Sequence, residues 1–249
     1  CAVRSGACVG IICNTVVRAQ YFAERVRNVE GAKVILYHAQ YIIPDRMERE
    51  ETLKKYIGKN STAEVREGVV VAGTQVLEQS LDIDFDILVT DLCPMDLLLQ
   101  RIGRLQRHPR GHRPQGYETA ECIVLGTEEP DGASERIYTR WLLLRTRKLL
   151  PAYISVPGDI DPLVYETYRE AEPEGAEEEA ALKEYQDLIE EKKQRARGFL
   201  MAPPRESRWG SDLHDWLRNS AGDNENSALA TVRDGTFSIE VLVLVQYAD

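Results

Sequence analysis

No stretch of this 249-residue chain approaches the roughly 18 consecutive apolar residues of a membrane-crossing helix, although 43% of its residues are hydrophobic. Its first residues, Cys-Ala-Val-Arg-Ser-Gly, lack the pattern of a secretory leader. The expectation is a soluble, cytoplasmic chain with no membrane partner. Paired cysteines are missing too. Cys1, Cys8, Cys13, Cys93 and Cys122 contain no Cys-x-x-Cys, and all but Cys1 sit in or beside apolar runs, where they read as small buried hydrophobes and not as a disulfide framework. Positive charge is in deficit, with 31 Lys and Arg against 41 Asp and Glu and a net charge of −10. That excludes broad electrostatic capture of duplex DNA, so any nucleic acid must be held in a locally lined groove.

Three tempting motifs are incomplete. Gly58-Lys59-Asn60-Ser61 is no phosphate-cradling loop, because Leu53 stands where the first glycine is required and Asn60 where Ser or Thr is required. His108 and His112 have helical i, i+4 spacing, but Pro109 and Gly111 break the helix that would bring them together. His214-Asp215 copies a dipeptide of metal-dependent phosphohydrolases without their other ligands. No metal site is assigned to this chain, and no internal repeat is present.

What the chain does have is a succession of continuous apolar runs separated by helical periodicity. Runs at 8–13, 33–37, 69–72, 85–92 and 122–125 read as strands. Helices are expected at 16–27, after the N-capping pair Asn14-Thr15, at 45–56, and at 95–107. Strands that are apolar throughout, alternating with helices, predict an α/β doubly wound parallel sheet covered on both faces over residues 1–130. Ligands of such sheets gather outside the carboxyl ends of the strands, where Asn14-Thr15, Tyr37-His38, Gly73-Thr74-Gln75 and Asp91 fall. Residues 131–200 read as linker helices at 137–150, 161–170 and 177–197. Residues 201–249 read as a partial β-containing C-terminal domain, with a linker at 198–210, a short helix at 209–222 and a hairpin at 228–247. Its last strand is so apolar that further polypeptide is expected to follow.

The most informative stretch is Gln-Arg-Ile-Gly-Arg-Leu-Gln-Arg at 100–107. On one continuous helix, Leu98, Ile102 and Leu105 would form an apolar stripe and Gln100, Arg104 and Arg107 a polar one, with Arg101 between them. Gly103 interrupts that helix at a cost of about 1 kcal/mol against Ala, as if something must approach the backbone. A second polar stretch, Val71 to Asp86, lies between two strands.

In order, Asn14-Thr15-Val16, the run Thr74-Gln-Val-Leu-Glu-Gln-Ser-Leu-Asp82-Ile-Asp84-Phe-Asp86, the helix of residues 94–107 and Arg113-Pro114 resemble motifs IV, V and VI of the second RecA-like domain of superfamily 2 helicases. Within that superfamily the chain is similar to the CRISPR-associated helicase-nuclease of type I systems. Val156-Pro-Gly-Asp-Ile-Asp-Pro-Leu-Val-Tyr-Glu-Thr-Tyr168 is similar to that family's entry to its linker. The resemblance runs from about residue 9 to 170 and is thin beyond.

The resemblance implies the C-terminal motor half of an ATP-dependent, 3′ to 5′ single-stranded DNA translocase. Arg104 and Arg107 match arginine-finger positions, and Gln100 the residue that reaches toward the phosphates or attacking water. Asp82 matches a ribose contact, with a capping or salt-bridged aspartate as the alternative. Arg101 and Gly103 are grouped with the nucleotide site, although Arg101 also fits a role in pairing with an acid to hold the loop. Asp84 and Asp86 read as structural. Thr74 and Gln75, and Asn14 and Thr15, match strand-gripping positions, with capping equally open, and His38 is open between groove and surface. The implied cofactors are ATP and Mg2+, with the metal ligands on a first RecA-like domain, since this chain has no Asp-Glu-x-His. The implied partners are single-stranded DNA, the Cascade surveillance complex, and the first RecA-like and nuclease domains of one protein. The chain alone is expected to be inactive. A different superfamily 2 DNA or RNA helicase, or a non-catalytic interaction module with the same fold, is the alternative.

Overall fold

The computed structural model describes residues 1–78 and 81–198. Two compact units divide the chain, Cys1–Tyr185 and Gln186–Asp249, and all that follows concerns the first. The linker, short helix and hairpin expected beyond residue 198 lie outside the described residues.

Five parallel strands form one sheet in the order β2-β3-β1-β4-β5: β1 (Val9–Ile12), β2 (Lys33–Tyr37), β3 (Val69–Gly73), β4 (Ile87–Asp91) and β5 (Glu121–Leu125). Register pairs Ile12 with Gly73 on one side of β1 and with Thr90 on the other, so the carboxyl ends of the three central strands finish level. The runs that are apolar throughout become the central strands. The strand at 33–37, expected to be buried, is instead an edge strand with Lys33 exposed and the next three residues half-buried.

Helix α1 (Val16–Arg27) covers one face through Ala19 and Ala23, which pack with Val9, Ile11, Val70 and Ala72. Helix α2 (Ile43–Ile57), joined by the short α3 (Ala63–Arg66), covers the other through Leu53 and Ile57, against Ile12, Val71, Phe85 and Leu88. The core therefore has two layers around the sheet, as the alternation of strands and helices predicts. Cys8, Cys13 and Cys93 are buried free thiols, and burial pushes each up to about 12. Among the described residues no helix is long and apolar enough to cross a membrane.

Two expected helices are shorter than their periodicity. Helix α4 (Met95–Ile102) stops where 95–107 was expected, with Gly103 as its C-cap. Leu105 continues the helical spacing but leaves the helix to form a parallel bridge with Phe85 and joins the core beneath the sheet. Tertiary pairing overrides local periodicity there. The stripe of Gln100, Arg104 and Arg107 thus does not exist as a helix face. The helix expected at 137–150 starts only at Arg140, as α6 (Arg140–Leu149); a separate short helix that was not expected, α5 (Gly132–Ile137), ends just before the extended residue Tyr138. Helix α7 (Ile160–Tyr168) packs beside α4 through Leu163 and Val164, while Ala181 of α8 (Ala176–Gly198) is buried against Trp141 and Leu144.

Candidate functional site

The carboxyl edge of the sheet is where the chain reverses its winding: β1 leads by α1 to one side of the sheet, and β3 leads to β4 on the other. At such a switch point the loops part and leave room for ligand. Asn14 sits there, 3% exposed. Its side-chain amide donates to the Leu92 carbonyl (2.8 Å) and the Ser134 hydroxyl (2.7 Å), and its oxygen accepts from Arg101 (3.1 Å). Its backbone N–H donates to Asp91 (3.0 Å), which also accepts from Arg18 (2.7 Å). The Asn14 side chain is thus bonded within the fold on both its nitrogen and its oxygen. Thr15 alone caps α1, accepting from the Arg18 N–H at 3.3 Å, and it is half-buried.

Thr74 is buried immediately beyond β3, with its N–H on the Tyr37 carbonyl (3.3 Å). Gln75 is half-buried, and its amide donates to the Asn14 carbonyl (3.0 Å) and the Tyr138 hydroxyl (3.1 Å). Burial pushes Tyr138 up to about 12, so at neutral pH its hydroxyl keeps its proton.

Arg101 lies beneath this group with no exposed surface. Its guanidinium donates to Glu78 (2.6 Å), the Thr90 hydroxyl (2.8 Å), the Asp91 carbonyl (3.1 Å) and Asn14. It ties the β1, β3 and β4 loops together. Burial raises the Glu78 carboxyl, with Arg101 opposing that rise.

The loop after α4 makes a rim that runs from Glu78 of the β3 loop back to Phe85, on the amino side of β4. Gly103 has ordinary right-handed backbone, and a Cβ there would meet the Gln100 and Leu99 carbonyls at 3.2 and 3.4 Å. The close approach at Gly103 is thus to its own helix. Gln100 is exposed. Arg104 is half-buried and donates to the Glu78 carbonyl (2.6 Å), while its Nε is buried with no partner. Burial lowers its pKa, with Arg107 adding to the effect. Arg107 is exposed and paired with Asp82 (2.9 Å), whose carboxyl that bond holds below the ordinary range. The structure thus brings Arg107 and Asp82 into contact, and Arg104 beside them on Glu78.

His38 stands apart from this rim. It is 5% exposed, stacked on Tyr41 with ring centroids 4.2 Å apart, and its Nδ1 has no partner. Arg49 covers Tyr41 at 4.0 Å.

A second charged cluster lies at the opposite, amino edge. Asp84 and Asp86 are buried and accept from Arg66, Arg110 and Arg113, next to a cavity of about 260 Å³. Arg66, Arg110, Ser134 and Tyr138 escaped the sequence reading, and Arg113 and Glu78 entered it only inside motifs, without a role of their own. Only the density of polar residues between β3 and β4 hinted at Glu78, and nothing local marks Tyr138, which sits in a stretch that reads as linker.

With the site in view, likeness to known proteins becomes decisive. Residues 5–110 match the family model described as CRISPR-associated nuclease/helicase Cas3, C-terminal. The chain belongs to the Cas3 family. A Streptococcus thermophilus relative, a CRISPR-associated nuclease/helicase Cas3, is 40% identical over 98% of this chain, which spans 28% of that relative. The crystal structure of T. fusca Cas3-AMPPNP aligns with 79% of the chain and 24% of its own length, at 30% identity and a TM-score of 0.70. A chain of a CRISPR RNA-guided surveillance complex, pre-nicking, aligns with 64% of this chain and 21% of its own, at 33% identity and a TM-score of 0.57. The chain thus spans less than a third of these Cas3 relatives.

Proposed function

We propose that this chain supplies the second motor half of an ATP-dependent helicase that moves 3′ to 5′ along single-stranded DNA and acts with a nuclease in CRISPR interference. The observation that carries this reading is the rim where Arg104, Arg107 and Asp82 lie together on loops organised by the buried Arg101. A guanidinium that is half-buried, partly desolvated and left with an unpartnered Nε is a fitting partner for an anion, and nucleotide phosphate is the anion the family likeness supplies.

In this reading Arg104 and Arg107 are the fingers that steady charge on the transferred phosphoryl group of ATP held on a first RecA-like domain. Gln100, exposed one turn before Arg104, orients the attacking water or the phosphates. Asp82 holds the ribose after exchanging its bond from Arg107. ATP binds between the two domains. Mg2+ enters in this reading with the nucleotide, on ligands of the first RecA-like domain.

Thr15, at the N-terminus of α1, and Thr74 and Gln75, beyond β3, grip the DNA strand, while Asn14 orders them from beneath and His38 borders the path. Closure of the two motor domains shifts this grip. The likeness to T. fusca Cas3-AMPPNP supports nucleotide binding, and the likeness to a chain of a CRISPR RNA-guided surveillance complex supports Cascade as a partner, alongside the first RecA-like and nuclease domains. We place the motor half at 1–130 and linker helices at 131–200, and expect this chain alone to hydrolyse no ATP.

The test is Arg104→Ala in the full-length protein. It is expected to abolish DNA-stimulated ATP turnover while strand binding persists, and near-normal turnover would contradict the reading. RNA in place of DNA should not stimulate.

A further inference from the structure

Gln106 is the one non-glycine residue with positive φ (+46°) among the described residues, and it stands between Arg104 and Arg107. A side chain with a Cβ occupies that region at a cost that glycine does not bear. Each flank of Gln106 is tied to the segment Asp84-Phe85-Asp86, one through Phe85 and the other through arginines held by the two aspartates. Toward its N-terminal side, the Phe85 N–H donates to the Arg104 carbonyl (2.9 Å), the Gln106 N–H donates to the Phe85 carbonyl (2.8 Å), and Leu105 is packed on the core. Toward its C-terminal side, Arg113 donates to the His108 carbonyl (2.9 Å), and Arg110 and Arg113 are bound to Asp84 and Asp86.

The chain must therefore turn between Leu105 and His108, and it turns at Gln106. The Gln106 side chain secures the turn through its amide, which donates to the Tyr117 carbonyl (2.9 Å). The result sends the Arg104 guanidinium to the Glu78 carbonyl and that of Arg107 to Asp82. With right-handed or extended backbone at 106 and both flanks held, Arg107 would leave the loop in another direction. Strained backbone persists only where the surroundings over-determine it, as they do here.

We propose that Gln106 is a positioning residue, whose left-handed backbone sets the relative directions of Arg104 and Arg107. This rests on the role given to those arginines under Proposed function.

The experiment measures ATP turnover of the full-length protein with saturating single-stranded DNA for Gln106→Gly, Gln106→Asn and Gln106→Ala. Gly and Ala both delete the bond to Tyr117, so their difference isolates the backbone. Gly is expected to keep kcat within about twofold of the parent and Ala to lower it about tenfold, with Asn, which tolerates the left-handed region, between them. A merely structural role would lower the Tm of the Ala variant and leave kcat per folded molecule unchanged, which would overturn the proposal. Equal kcat for Gly and Ala would also overturn it, and if Ala does not fold, Asn falling below Gly supports it while Asn equal to Gly overturns it. Arg104→Ala is measured alongside. If that variant keeps its turnover, the reading beneath the proposal fails and the proposal with it; if it is dead while the Gln106 series is flat, only the proposal fails.

Discussion

Arg101 and Glu78 are both fully enclosed, and Arg101 spends its donors on three separate loops. A buried pair adds little over a well-packed apolar pair, but deleting one partner leaves an uncompensated charge. Arg101→Ala is expected to cost about 3–5 kcal/mol of stability, read as a lowered denaturant midpoint with unchanged slope. A change below about 1 kcal/mol would contradict the tie that Arg101 makes between the loops. His38 gives a pH-dependent counterpart. Burial, with Arg49 adding to it, holds His38 below its ordinary value of 6.5. The unfolded chain takes up this proton first, so the contribution is present above pH 6.5 and is lost as pH falls below it. His38→Phe retains a ring to stack on Tyr41 without titrating, and its Tm should fall less between pH 7 and 5 than the parent's. Parallel Tm profiles would contradict this.

Elements were legible where periodicity and burial agree. The strands at 33–37 and 69–72 and the helix at 16–27 end within a residue of expectation, because an apolar run between polar turns has one way to be buried. Two element ends were illegible. Leu98, Ile102 and Leu105 keep helical spacing across a helix end, since Leu105 is buried equally well by pairing with Phe85. At Tyr138 the break is set by the hydroxyl's partners, Gln75 and Arg101, which come from distant loops. For the same reason the motif positions around residue 100 could be read from sequence, while the enclosure of Asn14 and Arg101 could not: it depends on what packs over them. The β1 strand carries a prediction of its own. A Cβ on Gly10 would lie 2.7 Å from the Phe85 ring, which is itself fully buried beside the arginine loop. Gly10→Ala should destabilise by about 1–3 kcal/mol through overpacking, measured by chemical denaturation, and a neutral effect would contradict the tight contact of β1 on Phe85.

At the scale of the whole molecule, the parallel sheet sends the β1, β3 and β4 loops to one edge, and the loop after α4 runs from Glu78 of the β3 loop back to Phe85 on the amino side of β4. Arg107 and Asp82 are bonded to each other and Arg104 rests on a backbone carbonyl. A second domain carrying bound nucleotide would draw all three into new bonds, and that is the central claim. Its most direct measurement is DNA-stimulated ATP turnover of the full-length protein carrying Arg104→Ala or Arg104→Lys, with single-stranded DNA affinity measured on the same preparations. The account predicts a loss of about 10³-fold or more for Ala, poor rescue by Lys because an ammonium lacks the planar fork, and DNA affinity close to the parent's. Turnover within a few-fold of the parent in the Ala variant would contradict it.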